Sequence, residues 1–142
     1  MSTASGRCWE FALLPSWSNS GKESFSQTNG AGTLEITATT EMPVRVDMST
    51  LAELLKNSLP AQVLSEDGEP IPGMTIESAT LGEFHGFGTS YDANETHWRR
   101  WFVGQGTVFL LISYFCPIAD KGQEDSQVDQ MLCSLKERNN AL

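Results

Sequence analysis

The sequence has only two histidines, three cysteines and half as many basic as acidic residues. Each shortage removes a class of function. Cys8, Cys116 and Cys133 are odd in number and far apart, so they supply neither a disulfide framework nor a paired Cys-x-x-Cys ligand set. A reducing, cytoplasmic setting fits that usage. Nine Lys and Arg against eighteen Asp and Glu give a net charge of -9, which repels phosphate backbones and anionic headgroups. Neither nucleic acid nor a membrane is an expected partner. The first residues, Met1 to Arg7, carry no apolar h-region, and the longest apolar stretch, Val108 to Cys116, is too short to span a bilayer. The sequon Asn94-Glu95-Thr96 therefore has no secretory signal to accompany it.

Chemical motifs are equally sparse. His-Glu-x-x-His, the calcium-loop pattern and the Gly-x-Ser-x-Gly elbow are absent from the sequence. Gly86-Phe87-Gly88 and Gly104-Gln105-Gly106 lack the third glycine or the Lys-Ser/Thr pair of a phosphate cradle. No cofactor and no metal are expected.

What is present reads as an ordinary folded chain. At 142 residues with 39% hydrophobic composition, one core is large enough to fold without disulfides or a structural metal. A single domain over residues 1–142 is expected, with 1–7 a flexible N-terminus. Cys8 to Leu14 reads as a first strand stopped by Pro15, with Trp17 continuing its surface. Glu23 to Thr28 and Thr33 to Thr40 flank Asn29-Gly30-Ala31-Gly32, a hairpin whose second arm alternates apolar and polar residues. Ser49-Thr50 opens a helix, Thr50 and Glu53 having capping-box spacing, and Pro60 stops it. Residues 61–73 mix acid, proline and glycine and read as an exposed acidic loop. Met74 to Cys116 then reads as four strands, Met74 to Thr80, Glu83 to Tyr91, Thr96 to Val103 and Thr107 to Cys116, joined by short turns. The last is apolar on both faces, as a central strand covered on both sides would be. Val128, Met131, Leu132 and Leu135 give a final helix, with Lys136 and Arg138 near its end. The fold class is α+β, an antiparallel sheet flanked by helices.

The segment from Trp98-Arg99-Arg100-Trp101 through Ser113-Tyr114 to Val128 to Lys136 resembles the closing part of PsbP-like domains, a superfamily that includes DcrB-like bacterial proteins. That resemblance implies an α/β/α sandwich and a binding scaffold with no shared catalytic set. It points to an accessory, immunity or secretion-associated protein of bacterial type. The leader common among such relatives is not seen here.

Candidate site residues fall into three groups. His85 and His97 lie on neighbouring predicted strands and could approach one another as a metal or acid/base pair, or be ordinary strand histidines. Either could also meet Cys116, read as a buried small hydrophobe, or Cys133, whose helical angle turns it from the apolar stripe. On a strand, Trp98, Arg100 and Phe102 share one face while His97, Arg99, Trp101 and Val103 share the other. Two arginines among two tryptophans could hold an anion or form an interaction hot spot; alternatively the indoles fill the core and the guanidiniums pair with surface carboxylates. Glu66, Asp67 and Glu69 form an acidic patch for a basic protein partner, or simply solvated loop charge. The leading expectation is a non-enzymatic protein-binding module. Its rival is a small enzyme or ligand-binding domain with a pocket between sheet and helix, lined by Trp98 or Trp101 and closed by 61–73.

Overall fold

A computed structural model of the chain describes residues 2–21, 23–39, 48–60, 63–64, 66, 74–106 and 108–138. Its strands are β1 Ser2–Ser5, β2 Trp9–Leu13, β3 Trp17–Gly21, β4 Ser24–Gln27, β5 Thr33–Thr39, β6 Glu77–Leu81, β7 Phe84–Ala93, β8 Thr96–Gln105, β9 Val108–Pro117 and β10 Lys136–Glu137. Its α-helices are α1 Met48–Asn57 and α2 Asp125–Leu132. None of the described helices is long and apolar enough to cross a membrane.

The strands form a seven-stranded sheet in the order β3-β4-β5-β9-β8-β7-β6 and a three-stranded sheet in the order β1-β2-β10. Every pairing is antiparallel. The class is α+β, as the sequence implies. β9 sits in the middle of the large sheet because its residues are apolar on both faces and need cover on both. On one face Val108, Leu110, Ile112, Tyr114 and Cys116 join the main core with Trp9, Phe11 and Leu13 of β2 and Val128, Met131 and Leu132 of α2. On the other face Leu51 and Leu55 of α1 meet Phe102, Phe109 and Leu111. The two helices thus cover opposite faces. Each fully buried Leu or Phe in these layers contributes about 1.5–3 kcal/mol of apolar burial.

The structure corrects several boundaries. Ser2–Ser5 is not a loose end; it pairs with Glu10 to Leu13, and Ala4 is buried. Trp17 opens a strand of the other sheet instead of extending β2. Thr50 lies inside α1, which begins at Met48. Helix α2 ends at Leu132, so Leu135 is buried outside it and Lys136 belongs to β10 against β2. Most of the acidic segment lies outside the described residues. Of the part described, Val63 is buried beside Leu59, Tyr91 and Ala93, and Glu66 is exposed.

Candidate functional site

Strand register arranges the α1 side of the large sheet into rows that cross the strands. Glu35 of β5 pairs with Ser113 of β9, which pairs with Arg100 of β8, which pairs with Thr89 of β7. Two residues further along each strand lies an aromatic row, Phe115, Trp98 and Tyr91. Trp98 stacks on Tyr91 with centroids 6.4 Å apart and tilts against Phe115 at 4.9 Å. On the opposite side of the polar row stand Thr37, Leu111 and Phe102. A polar stripe therefore runs between an aromatic and a mainly apolar one.

Helix α1 covers only part of this face. Beyond its C-terminal end a cleft of about 360 Å³ opens over the stripe, floored by Glu35, Ser113, Arg100 and Trp98 and bounded by Ser58 and Pro60. Arg100 is fixed there by neutral groups: its Nε donates to Ser113 Oγ at 3.2 Å and its Nη1 to the Ser58 carbonyl at 3.0 Å. The second bond satisfies a carbonyl at the end of α1, where a cation is also favoured by the helix dipole. A hollow of similar size, about 380 Å³, lies at the Thr33 and Phe115 end of the sheet, but among the described residues Glu95 is the only charged one lining it. The cleft at the end of α1 is lined by both a basic and an acidic side chain, Arg100 and Glu35. Its closure by 61–73 concerns residues that lie largely outside the described ones.

Arg99 and Trp101 sit on the other face, as strand alternation requires. Arg99 is neutralised by Asp129 at 2.6 Å and Asp125 at 3.4 Å on α2, and its guanidinium lies 4.8 Å from the Trp101 ring centroid. Trp101 is buried in the main core. This pair ties α2 to the sheet, and the four-residue cluster divides into a core half and a cleft half.

The histidines do not meet. His85 pairs across the ladder with Gly104 and His97 with Asp92, at opposite ends of the β7–β8 hairpin and on opposite faces. His85 is exposed, its Nδ1 3.3 Å from Thr80 Oγ1. His97 is buried, its Nδ1 2.6 Å from Asp92 Oδ1. Asp92, His97 and Cys116 do form one cross-strand row, the order of an orienting carboxylate, a base and a thiol. The thiol is buried, however, and burial raises its pKa from 9.0. A neutral, enclosed thiol is a poor nucleophile. The described residues hold no cluster of three or more His, Cys, Asp or Glu able to bind a metal.

Two predictions follow from this row and its neighbours. The hydrogen bond with His97, reinforced by Lys121, holds the Asp92 carboxyl below its usual 3.8. A lowered folded value stabilises the protein above the unfolded value and ceases to do so as pH falls through the folded one. The stability gap between wild type and Asp92→Asn is therefore expected to shrink as pH falls below about 4. Urea midpoints measured down the pH scale check it; a gap unchanged to about pH 2 would contradict it. For the thiols, Cys133 is exposed while Cys8 and Cys116 are buried. A maleimide should label Cys133 alone in the native chain and all three cysteines in urea, as read by intact mass; native labelling of Cys116 would contradict the packing.

One residue with a large structural role, Glu124, reads in the sequence as solvated helix-start charge beside Asp120 and Asp125, and the structure instead buries it. Glu124, 4% exposed, accepts hydrogen bonds from Tyr114 Oη at 2.6 Å, the Gly32 amide at 2.9 Å and the Ala31 amide at 3.4 Å. Burial, then the Glu124 contact, pushes the Tyr114 hydroxyl far above its ordinary value of 10.0. Of the acidic patch, Glu66 is exposed and Asp67 and Glu69 lie outside the described residues.

No family model matches the chain, and no curated protein matches it. Among solved structures it is similar to a protein from Bacteroides thetaiotaomicron VPI-5482, with 16% identity and a TM-score of 0.54. That match covers 92% of this chain and 45% of the other, so the chain spans less than half the length of that protein. It is also similar to LpqN, described as involved in cell envelope biogenesis of Mycobacterium tuberculosis, with 16% identity and a TM-score of 0.54, covering 91% of this chain and 82% of that one. At such identities the likeness is one of fold.

Proposed function

We propose that this chain is a non-enzymatic binding module that takes part of a net basic protein partner into the cleft at the end of α1. The observation that carries the reading is the composition of that cleft: stacked Trp98 and Tyr91, a fixed Arg100, Ser113 and an exposed Glu35 line about 360 Å³. These are recognition groups, aromatic anchors beside a few convergent polar atoms. The net charge of -9 favours encounter with a basic surface. A PsbP-like or DcrB-like architecture belongs to the same reading, supported by the order of elements and a helix on each face of the large sheet. So does a cytoplasmic setting, supported by three unpaired cysteines.

The test is capture from native host extract by wild type, Trp98→Ala and Ser126→Lys, the last altering α2 on the opposite face. A basic partner should be retained by wild type and Ser126→Lys, released by salt, and bound at least about tenfold more weakly by Trp98→Ala. Equal retention by Trp98→Ala, with its fold intact by circular dichroism, would sink the proposal. A second reading, a small-ligand domain, draws on the cleft volume, which falls within the usual range for such sites. Thermal shift against a metabolite panel, with and without Trp98→Ala, separates the two.

A further inference from the structure

Arg100, like Arg138 with its bonds to Ser5 Oγ and the Gly6 carbonyl, has neutral partners, and of the two it is Arg100 that lines the 360 Å³ cleft. Arg99 faces two carboxylates, Lys121 faces Asp92, and Lys56 lies 3.8 Å from Glu53. Arg100 instead donates to a serine hydroxyl and a peptide carbonyl, both neutral, and among the described residues no carboxylate lies within ion-pair distance of it. A guanidinium has five N–H donors; Arg100 lines the cleft, and among the described residues its bonds are made by Nε and Nη1, which leaves Nη2 for a ligand. Ser113, 7% exposed, accepts from Arg100 and donates its own hydroxyl hydrogen to none of them. A fork of charged N–H groups next to a buried hydroxyl donor is complementary to a carboxylate.

Glu35 supplies the opposite charge at a defined distance. It lies in the same cross-strand row as Arg100 with β9 between them, so the two backbones are about 10 Å apart at the usual strand spacing. An extended peptide advances about 3.3 Å per residue, so about three residues bridge the two charges. The aromatic row of Trp98 and Tyr91 lies directly beside Arg100.

We infer that the cleft recognises the free C-terminus of an extended polypeptide: the terminal carboxylate meets Arg100 and Ser113, the last side chain packs on Trp98, and a basic side chain three positions upstream meets Glu35. The inference rests on the reading of this cleft as a binding site and names what enters it. A peptide amide or an internal peptide bond carries no charge to meet Arg100, so the end of a chain is distinguished from its middle.

The test titrates acetyl-Lys-Ala-Ala-Phe into the full-length, ¹⁵N-labelled chain as the free acid and as the amide, with acetyl-Glu-Ala-Ala-Phe acid and free phenylalanine alongside. The Trp98 indole N–H and the Ser113 amide report on the cleft. The free acid is expected to shift both and to bind at least about tenfold more tightly than the amide. Replacing its Lys by Glu should weaken binding a few-fold, in keeping with one exposed ion pair. Arg100→Gln should erase the preference for acid over amide. Equal affinity of acid and amide at the cleft, tighter binding of phenylalanine than of the peptide, or no shift up to millimolar peptide would each overturn the inference. None of these touches the broader proposal, which fails only if the captured partner binds independently of Trp98. The acid-to-amide comparison on wild type stands even if Arg100→Gln is poorly folded.

Discussion

Glu124→Ala is expected to lower the free energy of unfolding by about 3 kcal/mol, because it strands buried groups that have no other acceptor among the described residues. The carboxylate is 4% exposed and receives the Tyr114 hydroxyl at 2.6 Å and the Gly32 amide at 2.9 Å. Tyr114 is itself almost wholly buried on β9, so water cannot replace the lost acceptor without opening the core. Each stranded donor costs about 1–3 kcal/mol. The carboxylate also fixes the loop between β4 and β5 to the start of α2, joining parts of the chain that are distant in sequence. Glu124→Gln keeps an oxygen acceptor and should lose less than half as much. Urea denaturation of the full chain measures both; a loss below about 0.5 kcal/mol for Glu124→Ala, the level of an ordinary surface change, would show that the network carries no weight.

Gly82→Ala is expected to cost about 2–4 kcal/mol, and Gly106→Ala about 1 kcal/mol. Both glycines have φ of +61°, so the intrinsic backbone penalty is shared. Their surroundings differ. A Cβ at Gly82 would collide with the Leu135 carbonyl oxygen, whereas one at Gly106 meets nothing within 4 Å among the described residues. The same Leu135 carbonyl accepts the Glu83 amide at 2.9 Å, so the β6–β7 turn is pressed against the segment that follows α2. Relief requires moving backbone. Equal losses for the two variants in matched denaturation curves would mean that this docking contributes nothing.

The contrast between these positions illustrates what local sequence carries. Alternation placed Trp98, Arg100 and Phe102 on one face of β8 and Arg99, Trp101 and Val103 on the other, because a strand's period is fixed by its backbone. The apolar period through Leu135 marked buried positions correctly but overran the helix, since the chain turns after Leu132 while keeping Leu135 inside. In Asn29-Gly30-Ala31-Gly32 the positive φ of 57° falls on Asn29. The glycines are needed for space: a Cβ on Gly30 would strike the Glu124 carboxylate, and one on Gly32 the Tyr114 hydroxyl. Ser2 to Ser5 has no apolar alternation to announce it, and its strand exists because β2 offers a ladder.

The cleft was legible only in part. Trp98 and Arg100 could be seen to share a face, and the pairing of Asp92 with His97 follows once the two-residue turn at Asn94 and Glu95, both at positive φ, sets the hairpin register. The row that brings Glu35 to Ser113 and Arg100 depends on β5 pairing with β9 across a long stretch of chain. Nothing local in either strand specifies that register, because it is set by which apolar residues each strand must bury. The separation of the two histidines has the same origin.

The most direct test of the cleft as the working surface is chemical-shift mapping of the ¹⁵N-labelled chain with its captured partner. Perturbations centred on the Trp98 indole and on Glu35, Arg100 and Ser113, with α2 and the β1-β2-β10 sheet unmoved, are the expected result. Perturbations centred on α2 or on the small sheet, with the Trp98 indole unchanged at saturation, would contradict it.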